Sequence, residues 1–318
     1  MFIWPIHVGE MLGFFSEEGL SLEIISSDAN IPYTLFLVGG NADLVMMDSA
    51  QALHALNAGF ELASIFEVHR PIPQGVYVKE SSPLYSVLDL KGRTVGLGSN
   101  RDLATLQVAL AHEESTIEDI DTVVVGDAGP ILNSVFTKDF ADAFAGSLAS
   151  VVPLAAHGVR VRDVTPKSVK SAPINSYVTL KSRIEELREP ICGFVRAWSK
   201  GVYVGRRDIE IIAAMSRHPS GVPEQWEDPD YGYQFLHAVA DLVIPEGEEF
   251  GIADTDAWQA VLDDMLLINE IEIQYDVNAI IDHSFQSCAN DFDREKVMSK
   301  AHEWMRAGEN IPYVRQQY

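Results

Sequence analysis

The sequence predicts an α/β protein with two sheets, each flanked by helices. Three observations carry this reading. Short apolar or alternating runs recur between helical runs of about 10–15 residues through the first half of the chain, the signature of strands in a largely parallel sheet. The alternation occurs twice, with a break around 80–90. From about 181 onward the chain turns mostly helical.

The elements follow in order. "LSLEIIS" (20–26) alternates apolar and polar residues and reads as a half-buried strand. "IPYTLFLVGG" (31–40) reads as a helix stopped by Gly39-Gly40. "ADLVMMD" (42–48) is a buried strand, and "SAQALHALNAG" (49–59) a helix with Ser49 as N-cap and Gly59 as its stop. "ELASIFEV" (61–68) and "PQGVYVKE" (73–80) are strands. Past the break, "RTVGLG" (93–98), "DTVVVG" (121–126), "ADAFAG" (141–146) and "VRVRDV" (159–164) are strands. Between them lie helices at 99–113, 129–139 and 147–158. Further helices are expected at 181–204, 207–217, 232–243, 254–270 and 293–307, with a turn-rich loop at 221–233.

Composition bounds the function. The chain has 318 residues, enough for two domains, with 47% hydrophobic and 22% charged residues. Its net charge is -24. Clustered cations are what bind phosphates, so nucleic acid is excluded as a partner. No apolar run of about 18 residues is present, which excludes direct membrane insertion by a helix. The acidity concentrates at 201–318, where 23 Asp and Glu face 8 Lys and Arg. It is either a solvated face or an acidic docking surface. Cys192 and Cys288 are too far apart for a metal site of the usual spacing. They are two buried thiols or, in an oxidising compartment, a disulfide.

In open α/β sheets ligands bind beyond the carboxyl ends of the strands. Three strand-to-helix loops carry chemistry there. In "VMMDSAQA", Asp48 and Ser49 stand at a helix start, as a cap or as an anion site. In "GLGSNRDLA", Ser99 and Asn100 cap a helix, and Arg101 opposes its dipole. Arg101 therefore meets a ligand, or pairs with Asp102 or solvent. In "FAGSLAS", Gly146 and Ser147 open the next helix. Trp4 and His7, expected in a turn before the first helix, line a pocket or serve as a core ring and a surface imidazole. His69, Arg70 and Gln74 lie near the break, where Arg70 could clamp a carboxylate or sulfonate. Tyr177 lies where the chain crosses back. No GxGxxG, Walker A, HExxH, GxSxG or CxxC motif occurs, so no catalytic residue, metal or cofactor is assigned. The adjacent Asp263 and Asp264 read as a solvated helix face.

"VGEMLGFFSEEGLSLEI" (8–24) resembles the signature of solute-binding proteins of ABC importers for alkanesulfonates, taurine, nitrate and thiamine precursors. There a helix ends in Gly-x-Phe, followed by acidic residues, Gly-Leu and a strand. "LVGGNADLVMMDSAQAL", "VLDLKGRTVGLG" and "DVNAIIDHSF" resemble later landmarks of the same family, in family order, so the likeness spans nearly the whole chain. The resemblance implies the two-lobed type II periplasmic-binding fold, each lobe a mixed, mostly parallel sheet. It places lobe one at 1–82 and 176–318 and an inserted lobe two at 83–175. It implies closure of the lobes on a small solute. Contacts would come from Trp4, His7, Asp48, Ser49, Arg70, Ser99, Asn100, Arg101, Ser147 and Tyr177. The partners it implies are a small-molecule ligand and an ABC transporter permease, with the protein a monomer in the periplasm. Only Met-Phe-Ile precede Trp4 where the family has a full strand, so the expectation is a chain shortened at its N-terminus.

Three functions follow from different classes. The first is a receptor for a sulfonate, carboxylate or heteroaromatic solute such as a pyrimidine. The second is an enzyme on the same fold, resembling the thiamine-pyrimidine synthases or desulfinases. Those enzymes depend on cysteine motifs, and the first 191 residues contain no cysteine. The third is a sensing module, which would come with an effector domain that the sequence does not display.

Overall fold

The computed structural model describes residues 3–25, 32–68, 74–126, 130–169, 175–245 and 247–307. Its strands are β1 (Val45–Asp48), β2 (Leu62–Glu67), β3 (Gln74–Lys79), β4 (Thr94–Leu97), β5 (Asp121–Val124), β6 (Ala143–Ser147), β7 (Val161–Asp163) and β8 (Asn175–Leu180). Its helices in the first two thirds are α1 (Trp4–Met11), α2 (Phe14–Glu17), α3 (Thr34–Val38), α4 (Ser49–Asn57), α5 (Leu103–Ala111), α6 (Pro130–Thr137) and α7 (Leu148–Val151). The rest are α8 (Ile184–Arg207), α9 (Ile209–Arg217), α10 (Pro229–Val243), α11 (Thr255–Leu267), α12 (Gln286–Asn290) and α13 (Arg294–Ala307).

Two sheets form. One has the order β1-β8-β2 and the other β5-β4-β6-β3-β7. β8 runs antiparallel to both of its neighbours, and β3 antiparallel to β6 and β7. Among the described strands, parallel pairing is confined to β4 with β5 and β6, so the sheets are not mostly parallel as expected. The physical reason is connectivity. β3 and β8 are the strands the chain enters on crossing from one sheet to the other, and each inserts against the direction of the local βαβ units. The sheets also exchange earlier than the break expected at 80–90, because "QGVYVK" belongs to the five-stranded sheet. The described residues that flank the two crossings are joined, Val68 N–H donating to the Asn175 carbonyl at 2.8 Å.

Residues 20–25, expected as a strand, pair with no sheet among the described residues. A strand needs a neighbour to satisfy its backbone. Here Leu20 and Leu22 rest on the core, while Ile24 and Ile25 stay about half exposed.

The largest core gathers α1, α2, α8, α9, α10 and β2. α1 lies in a groove along α8 that glycine makes possible. A methyl group at Gly201 would come 2.6 Å from the Pro5 carbonyl oxygen, and one at Gly205 would come 2.4 Å from the Trp4 ring. The "SEEG" of the opening motif is held by charge. Glu18 meets Lys200 at 3.0 Å and Arg196, and Glu17 meets Lys200 at 3.4 Å and Lys300. Cys192 on α8 and Cys288 on α12 form a disulfide with their Cα atoms 5.5 Å apart. Of the two readings of the cysteines, the bonded one is found. No described helix is long and apolar enough to cross a membrane.

Candidate functional site: a cleft between the sheets

A cleft of about 290 Å³ opens between the two halves. Its floor on one side is the carboxyl end of β1, the start of β8, and faces of α4 and α11. The other side is the start of β3, the 100–102 turn, α5 and Thr165. Apolar walls come from Leu103, Val108, Val261, Met265 and Ile268.

Local sequence explains how each polar group is held. Asp48 caps α4, where Ser49 was expected to, because the helix begins at Ser49 itself. Asp48 Oδ1 accepts the Gln51 N–H at 2.8 Å and the Asp48 N–H donates to Gln51 Oε1 at 3.2 Å. This capping box consumes donors that an anion would need. Ser99 is held alike: its N–H and Oγ donate to Asp102 Oδ2 at 2.7 and 2.8 Å. Gly75 is required beside Gln74, because a methyl group there would meet Thr165 Oγ1 at 2.8 Å and the Tyr77 hydroxyl at 2.9 Å. Thr165 Oγ1 in turn accepts the Val76 N–H at 2.9 Å.

Two histidine–carboxylate contacts edge the cleft. His54 Nε2 lies 3.3 Å from Glu270. His112, at the end of α5, places Nε2 2.9 Å from Asp264 Oδ1 on α11, which ties the two halves together across the cleft. Asp264 Oδ2 is buried with no hydrogen-bond partner among the described residues, and so is Gln74 Oε1.

Of the residues expected to contact a ligand, Asp48 and Asn100 line the cleft. Ser147 sits beside it, paired in register with Gln74. Ser99 is buried behind Asn100. Four expectations are corrected. Trp4 belongs to α1, is 1% exposed and fills the core against Gly205. Tyr177 is buried edge-on to Phe194 and Trp198 at 4.7 and 5.2 Å, so its ring is core and not a cleft wall. Ser49 is fully buried at the start of α4. His7 lies within α1, not in a preceding turn, and is half-buried, with burial lowering its pKa. Arg70 and His69 lie outside the described residues, as does the side chain of Arg101.

Gln51, His54, Thr165, Asn175, Asp264 and Glu270 also line the cleft and were not expected there from the sequence. A signal existed for Asp264. It follows Val261 by three residues and so falls on the buried stripe of α11 with Trp258, Val261 and Met265. Asp263 is the solvated member of the pair.

A three-stranded antiparallel sheet and a five-stranded mixed sheet, flanked by helices and doubly connected, with a cleft where strands end, make a periplasmic-binding-protein fold. The family model described as NMT1/THI5 like matches residues 3–204. The chain belongs to that family. Solved structures agree with the fold. The periplasmic aliphatic sulphonate binding protein SsuA from Escherichia coli superposes with a TM-score of 0.66 at 17% identity, covering 88% of this chain and 89% of its own. The alkanesulfonate-binding protein SsuA from Xanthomonas axonopodis pv. citri, bound to MOPS, gives 0.64 at 14%, covering 88% and 95%. The desulfurization enzyme DSZB gives 0.57 at 14%, covering 90% and 95%. A comparison with curated protein sequences finds no match.

Proposed function

We propose that this chain is the solute-binding component of an ABC-type importer. It captures a small organic solute in the cleft by hinge closure of two lobes and hands it to a membrane permease. The lobes are 3–68 with 175–307, and 74–169. The observation that carries the reading is that the cleft is lined from both sheets, while the chain passes between the sheets twice and Val68 and Asn175, at the ends of those passages, are hydrogen-bonded, the arrangement a hinge needs.

Two further points favour it. Both cysteines of the chain are committed to the disulfide, which leaves no thiol for a cysteine-dependent reaction of the desulfinase kind. A disulfide also suits an oxidising, extracytoplasmic location.

The test is a thermal-shift screen over sulfonates, amino compounds, pyrimidines, carboxylates and nitrate, with small-angle scattering on each hit. A ligand at about 100 times its Kd adds about 2.7 kcal/mol. A hit recovered unchanged, with a smaller radius of gyration, is the expected result. A hit that is chemically consumed would make the protein an enzyme on this fold, and hits without compaction would end the hinge-closure reading.

A further inference from the structure

We infer that the solute presents an N–H donor group, an amine, amidine or ring amino group, to Asp264 and Gln74. This rests on the receptor reading above and narrows it to a class of ligand.

Among the described residues, two acceptors of one cleft lack a donor. Asp264 is fixed on α11 by the His112 ring at 2.9 Å through Oδ1, which leaves Oδ2 buried and unpaired. Gln74 enters from the opposite sheet, at the start of β3, with Oε1 also buried and unpaired. Burying an acceptor without a partner is unfavourable, and a net return follows when a ligand supplies the missing donor. A donor bound to a carboxylate oxygen forms the stronger, charge-assisted kind of hydrogen bond.

The remaining charged lining points the same way. Asp48, Asp102 and Glu270 line the cleft with Asp264, and no Lys or Arg does so among the described residues. The one basic ring among the lining residues, His54, faces Glu270. A sulfonate or carboxylate brings only acceptors, so at this end it would set oxygen against oxygen. An anionic group of the same solute has to lie away from Asp264. A protonated amine is favoured by the carboxylates, and a neutral ring amino group is favoured by the hydrogen bonds alone. The apolar walls of Val108, Val261 and Met265 accept the hydrocarbon or ring behind the nitrogen.

The experiment uses matched pairs measured by isothermal titration on the full chain. They are 2-aminoethanesulfonate against ethanesulfonate, 4-aminopyrimidine against 4-methylpyrimidine, and benzamidine against acetophenone. At least one amino member should bind about tenfold or more tighter than its counterpart, the value of one hydrogen bond to a charged group. Asp264→Ala and Gln74→Met should each erase most of that preference, read as the ratio of the two affinities within a pair. His112→Ala separates ligand contact from the tie between the halves. It should keep the preference, because Asp264 retains its free oxygen. Equal binding within every pair, or a preference that survives both variants, overturns the inference and leaves the receptor reading standing. If all six compounds fail to bind while a plain sulfonate or nitrate compacts the protein, the inference falls and the receptor reading stands. If nothing in the wider screen compacts it, the receptor reading is what fails.

Discussion

Removing the Cys192–Cys288 disulfide should destabilise the protein by about 4–5 kcal/mol. The two cysteines are 96 residues apart and join α8 to α12, so the bond closes a long loop in the unfolded chain. Chain-entropy arithmetic for a loop of that length gives about 4.7 kcal/mol at 25 °C. The native side adds little, because α8 and α12 remain packed without the bond through the core that includes Phe194, Phe285 and Ala289. At roughly 2–4 °C per kcal/mol for a chain of this size, the melting temperature should fall by about 10–20 °C. The assay is urea unfolding followed by fluorescence and circular dichroism, comparing oxidised protein, protein under dithiothreitol, and the Cys192→Ala/Cys288→Ala variant. The latter two should agree, since each opens the same loop. Thiol titration of unfolded, unreduced protein should find no free thiol. Two free thiols, or midpoints that differ by less than about 1 kcal/mol, would refute the reasoning.

Other positions give separate tests. Burial pushes the Glu67 carboxyl to about 8, with the Asp254 N–H donating to Oε2 at 2.7 Å as the opposing influence. Its folded pKa lies above its unfolded value, so its neutral form favours the fold. Stability should fall as pH rises from about 4.5 to about 8, by about 3 kcal/mol at neutrality, and Glu67→Gln should flatten that slope in pH-resolved melts. Glu18→Ala leaves Arg196 and Lys200 facing each other without their shared carboxylate. It should cost about 3 kcal/mol in urea unfolding, and an unchanged midpoint would show the network contributes nothing. Trp4→Ala should cost about 3–5 kcal/mol in stability, as a core deletion does, with ligand affinity of the folded fraction unchanged in titration. A selective loss of affinity at full stability would return Trp4 to the binding site.

The residue string by itself determined the layered α/β class and two of the turns that edge the cleft. Alternation and helical periodicity are local properties, and a run such as "ELASIFEV" carries them in its own residues and is a strand in the structure. Asp48 and Asn100 were legible for the same reason: each stands at a strand-to-helix turn, and such turns collect at one end of a sheet. Pairing was not local. The direction of β8 against β1 and β2, the entry of "QGVYVK" into the second sheet and the unpaired state of 20–25 depend on which strands are neighbours. Packing also decided Trp4 and Tyr177, aromatic residues at positions suited to a pocket, because the glycines of α8 opened a groove for one and Phe194 and Trp198 enclosed the other. Asp264 and Gln74 show the limit most clearly. They are 190 residues apart in the chain, and only the crossing of two sheets brings their unpaired oxygens to one cleft.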